Sequence, residues 1–516
     1  MKININKKYH LLLFFAFCVI FFSILQFSFP NFLGQDAYYH AKTAQLIAEK
    51  GELLQSFPWL QFTILKDQFV EHHLLLHLIL IPFVTILPPI LGGKIAAVLF
   101  AALMSGTFYW LLQKLEVKCP LLWSMLLLFS SSAFIFRLNL LRAQSLALIM
   151  LWLGIYAIVK QKKLLLLIIA FFYVWLFDGF FFLGLVTLAY FFANTISNPK
   201  KSKQILHSLI PLGLFIVGVL ASILLNPYFP DNVRHLFFHL YRVALHNSFS
   251  NLPVGGEWTP ASPFDLLKTS WPVLILYFTA LTVTTAQLLN KRLGLPKKID
   301  YFLLITTSGF LGLTLVAQRL IEYSAPFIVL LAAVVLGDFW QKNHSRFKNL
   351  LAQIRAKKKL KMSAAIIIIV ALTGYGGYFM VDNIKNMRHY TKSYQAGFAE
   401  AATWLENNTP AQSTIFQVDW SDFPSLFFYN SDNYYVGGLD PNFMLEYDQN
   451  IFNKWNKIFH QEDLHKAYSI IKYDFNSDYV LVTEEFDKIN EQAANDPRWE
   501  NVYQSEEINI YHLKDY

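Results

Sequence analysis

Apolar runs of about 15 to 22 residues recur along the first three quarters of the chain, and this repetition limits the fold more than any other feature. A helix needs ~20 consecutive, predominantly apolar residues to cross a bilayer, so a chain built this way is a polytopic membrane protein and not a soluble globule. Hydrophobic residues make up 55% of it and the mean hydropathy is +0.37, which agrees. The first run, 10–29, follows Lys2, Lys7 and Lys8, and is too long for a signal-peptide core. With no small-residue cleavage site before Pro30, it reads as a retained helix. Further spans are expected near 94–113, 120–136, 143–159, 164–177, 180–195, 204–225, 271–290, 301–318, 323–340 and 362–380, about eleven crossings in all. The expected fold is therefore mainly α.

Charge sets the expected topology. Alternate loops carry Lys114 and Lys118; Lys160, Lys162 and Lys163; Lys200, Lys201 and Lys203; Lys291, Arg292, Lys297 and Lys298; and the stretch from Lys342 to Lys361. By the positive-inside rule these face the cytoplasm, which puts the N-terminus inside and everything beyond residue 381 outside the cell membrane. Residues 1–381 hold 33 bases and 13 acids, and residues 382–516 hold 10 and 22, a basic membrane part and an acidic external part within an overall +8. The bases sit in short loops that topology explains, so nucleic acid is not an expected partner. Cys18 and Cys119 are the only cysteines, which excludes a disulfide framework or a cysteine metal site.

The same topology sorts the acids. Glu116, Asp300 and Asp338 fall at cytoplasmic edges; Asp36, Glu49, Glu52, Asp67, Glu71, Asp178, Asp231, Glu257, Asp265 and Glu322 fall at or near the external face. Any chemistry is expected outside, on external loops 30–93 and 226–270. The stretch from Glu71 to Pro89 carries His72, His73 and His77 and three prolines, and reads as a helix lying on the external surface rather than as a further span. Beyond 381 the pattern becomes that of a soluble α/β unit. A helix is expected over 398–407, strands over 413–418 and 479–483, and a turn at Asn430-Ser-Asp-Asn433.

Four stretches stand in order along the chain. Asp36-Ala-Tyr-Tyr-His40 resembles the D-x-Y-Y-H motif in the first external loop of the oligosaccharyltransferase catalytic subunit, a member of the GT-C glycosyltransferases. Val254-Gly-Gly-Glu257-Trp-Thr-Pro260 resembles that family's S-V-x-E-x-x-P loop, and Gln318-Arg319-Leu-Ile-Glu322-Tyr-Ser-Ala-Pro326 resembles its V-R-L-x-x-x-x-A-P helix. Trp404-Leu-Glu-Asn-Asn-Thr409-Pro410, then Trp420-Ser-Asp422-Phe-Pro424, resembles W-L-R-E-N-T-P followed by a degenerate W-W-D-Y-G.

The resemblance implies transfer of a sugar or oligosaccharide from a polyprenyl phosphate or pyrophosphate carrier to an acceptor on the external face, as in protein glycosylation. Anomeric transfer needs a carboxylate beside the acceptor nucleophile and a cation beside the leaving phosphate. Asp36 and Glu257 are the candidate catalytic carboxylates and the candidate ligands of Mg²⁺ or Mn²⁺. Arg319 and Arg142 are candidates for the donor phosphate, since a guanidinium fork matches phosphate geometry. Tyr39, His40, Trp420 and Asp422 are the candidate substrate contacts. Membrane lipid is a further expected partner; sugar and acceptor stay open.

Two departures bear on this. The family has a second acidic motif on the next external loop, where this chain has Arg137-Leu-Asn-Leu-Leu-Arg142-Ala-Gln144 without a carboxylate, so a divalent ion would lack an oxygen ligand. Ser421 and Pro424 replace a tryptophan and a glycine of the family's acceptor-gripping motif, which leaves asparagine glycosylation open. A transferase placing one sugar on a lipid or polysaccharide, and a transporter or flippase of lipid-linked sugars, are the alternatives. Plain structural readings also stand. Asp36 is placed to cap a helix over Ala37–Lys50. Tyr38 and Tyr39 suit an interfacial aromatic belt. The histidines suit a wet interface as well as a metal. Asp178 suits a turn, Arg319 and Glu322 a pair one helical turn apart, and Trp420 and Asp422 the core and turn of the external domain.

Overall fold

The computed structural model describes residues 5–197, 202–246, 255–355, 358–395 and 397–515; expectations resting on Lys2, Lys200, Lys201, Val254 or the terminal Tyr516 lie outside them. Among the described residues, seven helices are long and apolar enough to cross a membrane. The molecule is a helical membrane bundle carrying a small C-terminal α/β domain.

The bundle begins with α1 (Ile5–Gln26) and the short α2 (Asp36–Lys50), followed by α3 (Leu74–Ile86) and α4 (Pro89–Lys114). Next come α5 (Pro120–Phe129), α6 (Ser132–Leu138), α7 (Gln144–Val159), α8 (Lys163–Leu176) and α9 (Phe181–Ser197). Then follow α10 (Ser202–His207), α11 (Ile210–Leu224), α12 (Asp231–Phe238), α13 (Pro263–Leu289), α14 (Lys298–Val316), α15 (Ile321–Arg355) and α16 (Lys358–Gln395). The last runs straight through residue 381, so the boundary to the C-terminal domain falls at Gly397, whose φ of +86° suits glycine. α7 and α8, both expected as spans, are apolar but have only 16 and 14 residues.

One expected span is broken. The stretch 120–136 forms two helices, α5 and α6, that meet at 90°. Ser131 is extended and caps α6, its hydroxyl accepting from Phe134 N at 3.1 Å. Its Oγ also lies 2.7 Å from Ser270 Oγ, at the kink of α13 two residues before Pro272. Proline lacks the amide its turn needs, so α13 bends there and the two irregular serines satisfy one another. Hydropathy alone reads through the break, because the residues on either side are apolar.

The C-terminal domain contains α17 (Phe398–Asn408), β1 (Thr414–Gln417), α18 (Phe423–Tyr429), β2 (Tyr434–Tyr435), β3 (Tyr479–Thr483), β4 (Trp499–Gln504) and β5 (Ile508–Leu513). The helix and both expected strands, β1 and β3, fall where predicted, and the Asn430–Asn433 turn is closed by the Asn430 side chain, which accepts from the amides of Asp432 and Asn433. The sheet order is β2-β1-β3-β5-β4, parallel from β2 to β3 and antiparallel beyond. Its β2 edge is covered by the loop after α2: Tyr435 N donates to Trp59 O at 2.8 Å and Gln61 N to Tyr435 O at 2.9 Å. On the other side α18 packs on α2, with Phe428 and Tyr429 rings 5.2 and 5.9 Å from Tyr38. Tyr38 is thus buried between bundle and domain rather than placed in an aromatic belt. α3 likewise packs on α2, α4 and α8.

Candidate active site

The start of α2 is anchored from below. Lys94 in α4 donates its ammonium to the carbonyls of Phe29 and, at 3.1 Å, Pro30. Gly93 beside it lets α4 close on this turn, since a Cβ there would fall 2.6 Å from the Phe32 ring and 2.9 Å from Leu141. Asp36 and the loop bearing Arg142 are thereby drawn together.

Asp36 is the first residue of α2. Gln35 occupies the capping position, and no side chain caps this end. Instead the Asp36 carboxylate accepts from Arg142 Nη2 at 2.7 Å, which replaces the helix-cap reading with an ion pair. Arg142 lies in the turn between α6 and α7, delivered there by the 90° bend. Its Nη1 donates to Glu257 Oε2 at 3.0 Å.

Glu257 sits in a 3₁₀ turn, Gly256–Trp258, pinned by Gln318: the Gln318 side chain donates to Gly256 O at 2.6 Å and its amide to Thr259 O at 2.9 Å. The next residue, Arg319, reaches Glu257 Oε1 at 3.0 Å and stacks 4.3 Å over the Trp258 ring. Arg137, at the end of α6, also donates to Glu257 Oε2, and through Nε to Glu322 Oε2 at 2.9 Å. The expected Arg319–Glu322 pairing is therefore wrong in its partners. The two side chains leave α15 and the turn before it in different directions, and each finds a residue distant in sequence.

Three guanidinium groups thus meet three carboxylates around one point. Arg137 and Glu322 are buried at its base, at 8% and 1% exposure, whereas Glu257 is 27% and Asp36 47% exposed at its mouth. Burial pushes the Glu257 carboxyl up, but Arg142, Arg319 and Arg137 outweigh it and hold that group well below the ordinary carboxylate range. Glu257 is accordingly ionised and fully engaged. Asp36 has one arginine and open access. A divalent cation requires several free oxygens; both oxygens of Glu257 and one of Asp36 are held by guanidinium, so as arranged this pair does not fit Mg²⁺ or Mn²⁺.

The remaining expected site residues lie elsewhere. Tyr39 is buried against the rings of Phe57, His40 and His77, and His40 Nδ1 lies 2.8 Å from His77 Nε2. Neither is seen to bond to the arginine cluster, yet His40 stands near enough to Arg142 to feel its charge. Trp420 and Asp422 form the turn before α18 in the C-terminal domain. Trp420 packs on the core containing Trp455, and Asp422 is buried. Sequence reasoning missed Arg137. The available signal was Arg137 itself, a charged residue closing an apolar stretch on the face to which Glu257 and Glu322 are assigned.

No family model matches the chain, and no curated protein matches it in sequence. Solved structures do. The apo oligosaccharyltransferase of Archaeoglobus fulgidus superposes with a TM-score of 0.65 at 12% identity, over 93% of this chain and 70% of that one. The same enzyme tethered to an acceptor peptide containing the NVT sequon gives 0.63 over 99% and 74%. ArnT from Cupriavidus metallidurans, bound to undecaprenyl phosphate, gives 0.59 at 13% identity over 97% of both chains. The chain shares the fold of these membrane enzymes, the fold that the resemblance of its motifs implied. Within it, the arginine and carboxylate cluster stands at the end of the bundle that carries the C-terminal domain, with α2 and the Arg142 turn forming one wall.

Proposed function

We propose that the protein is a glycosyltransferase that moves a sugar or oligosaccharide from a polyprenyl phosphate or pyrophosphate donor to an acceptor on the extracytoplasmic face. The observation that carries this reading is the convergence of Asp36, Arg142, Glu257 and Arg319 in a fold whose neighbours act on or bind such substrates. The acceptor's hydroxyl or amide proton passes to Asp36, the carboxylate with an exposed oxygen, as the acceptor attacks the anomeric carbon. The bond from that carbon to the phosphate oxygen breaks, and its electron pair leaves with the phosphate. Arg142 and Arg319 neutralise the charge that develops there, in a site whose arginines are already oriented by Glu257. Glu257, held by three arginines, serves as their positioning residue.

Transfer of a single sugar to a lipid or polysaccharide is the second reading; for either one, undecaprenyl phosphate as the carrier is supported by the match to ArnT, solved bound to that lipid, over 97% of both chains. Purified protein in nanodiscs, given radiolabelled undecaprenyl phosphate sugars or pyrophosphate oligosaccharides with lipid, glycan and sequon-peptide acceptors, tests both readings. Label should move covalently to one acceptor class. Label that only crosses the bilayer, without transfer, would identify a flippase instead.

A further inference from the structure

Away from the arginine cluster, three histidines from two parts of the chain face each other. His235 lies in α12 and His239 directly after it, one helical turn on, so both project from the same face. His72 comes from the turn before α3. Their ring centroids are 4.5 Å apart for His235 and His239, 4.7 Å for His72 and His239, and 5.2 Å for His72 and His235. One ring nitrogen from each lies within 4.8 Å of the others. His72 Nδ1, His235 Nε2 and His239 Nε2 are all buried and without a hydrogen-bond partner. Three buried imidazole nitrogens left unpaired side by side are unfavourable as an empty arrangement, because each has lost water and gained nothing.

The second nitrogen of His239 is accounted for. Its Nδ1 lies 2.8 Å from Asp178 Oδ2, at the turn before α9. A carboxylate on the far nitrogen of an imidazole directs the near nitrogen's lone pair inward and raises its basicity, the arrangement found behind histidines that bind metal. Phe443 stacks against His235 and His239, at 6.3 and 5.8 Å, and supplies an apolar wall. His235 also borders a cleft of about 450 Å³ between α12 and the loop after α2, edged by Glu446, which gives an ion a way in.

We infer that His72, His235 and His239 form a three-histidine site for a divalent transition metal of the zinc class, with Asp178 orienting His239. Three imidazoles with one open position suit tetrahedral zinc, whose ligand nitrogens stand roughly 3.4 Å apart for bonds of about 2.1 Å, a small closure from the present spacing. Oxygen-seeking Mg²⁺ and Mn²⁺ do not suit it. The ion would fasten the loop after α2, helix α12 and the Asp178 turn to one point. From there His72, His73 and His40 stand ring to ring, at 4.1 and 5.0 Å, back to the helix that begins with Asp36. No ligand is shared with the arginine cluster, so the site stands whether or not the proposed transfer is correct.

The test uses the full chain without a polyhistidine tag, stripped with chelator and titrated with Zn²⁺ and Co²⁺. One equivalent of zinc by mass spectrometry, and a tetrahedral Co²⁺ ligand-field spectrum, are expected in the wild type and in Asp36→Asn/Glu257→Gln. His235→Gln and His239→Gln should weaken binding at least tenfold, and Asp178→Asn about 10- to 100-fold. Where a histidine variant fails to fold, Asp178→Asn and the wild-type Co²⁺ spectrum decide. Absence of metal uptake by the wild type, or uptake by folded His239→Gln equal to wild type, would overturn the assignment.

Discussion

Arg137 and Glu322, 185 positions apart in the chain, form a buried ion pair at 2.9 Å that sets the floor of the arginine cluster. Removing one partner leaves the other charged and buried, which costs about 3 to 5 kcal/mol in comparable pairs. Arg137→Ala should therefore lower the thermal unfolding temperature in detergent and also reduce transfer, since Glu257 loses one of its three holds. In Arg137→Met/Glu322→Gln the stability loss should be smaller than the sum of the single changes. Additive losses would show that the pair contributes nothing to the fold.

Asp36 and Glu257 should fail differently. Asp36→Asn removes the proton acceptor and is expected to cut turnover by about 10²-fold or more with donor affinity little changed. Glu257→Gln releases Arg142 and Arg319 from their shared anchor, and should raise the KM for donor as well as lower kcat. Measuring both parameters in both variants separates the roles. Normal turnover in Asp36→Asn would remove it from the reaction.

Much of this arrangement could be read from residue order and much could not. Period and length found the α2 helix, the bundle and the strands over 414–417 and 479–483, because each is decided by local pattern. The break in 120–136 was hidden because Ser130 and Ser131 are tolerated within apolar helices; what bends the chain is a partner serine at 270, beside a proline in another helix. The same limit applies to the site. Asp36, Glu257 and Arg319 stand in recognisable motifs, but which arginine serves which acid depends on that bend. The His235 and His239 spacing was present in the sequence all along, and without His72 beside it there was no reason to choose it.

The buried Asp422 yields a pH-dependent expectation. Burial first, then the nearby Asp419 and Glu485 carboxylates, hold its pKa well above the ordinary value. For a group raised on folding, stability is fully present below the unfolded value of about 3.9 and declines as pH rises through the folded one. Asp422→Asn should thus raise the unfolding temperature near pH 8 and change it little near pH 4, as scanning calorimetry would read. A loss of stability at both pH values would contradict a structural role for a protonated Asp422.

Charge distribution makes a topological prediction. From the lysine-rich loops and the acidic C-terminal domain, residue 516 is predicted to lie outside the cytoplasm. Alkaline phosphatase fused there should be active, and green fluorescent protein dark when exported through the general secretory route. The opposite pair of results would move the proposed reaction to the cytoplasmic face.

The sharpest expectation sets fixed arginine charge against a bound cation at the reacting phosphate. Both Glu257 oxygens and one Asp36 oxygen are held by guanidinium groups, and a divalent ion would have to displace them against three positive charges. Guanidinium stays ionised at every physiological pH and can neutralise a leaving phosphate without any coordination chemistry. Zinc-saturated protein assayed without Mg²⁺ or Mn²⁺ should therefore transfer sugar as fast as protein supplied with them. Arg142→Ala and Arg319→Ala should each lower kcat/KM for donor by about 10²-fold, the scale seen when one preorganised donor to a developing anion is removed. Arg142→Lys should recover little of this, because a point charge cannot bridge Asp36 and Glu257 as the fork does. Strict dependence on added Mg²⁺ or Mn²⁺, together with a silent Arg142→Ala, would instead mean that substrate binding frees Asp36 and Glu257 to hold a metal.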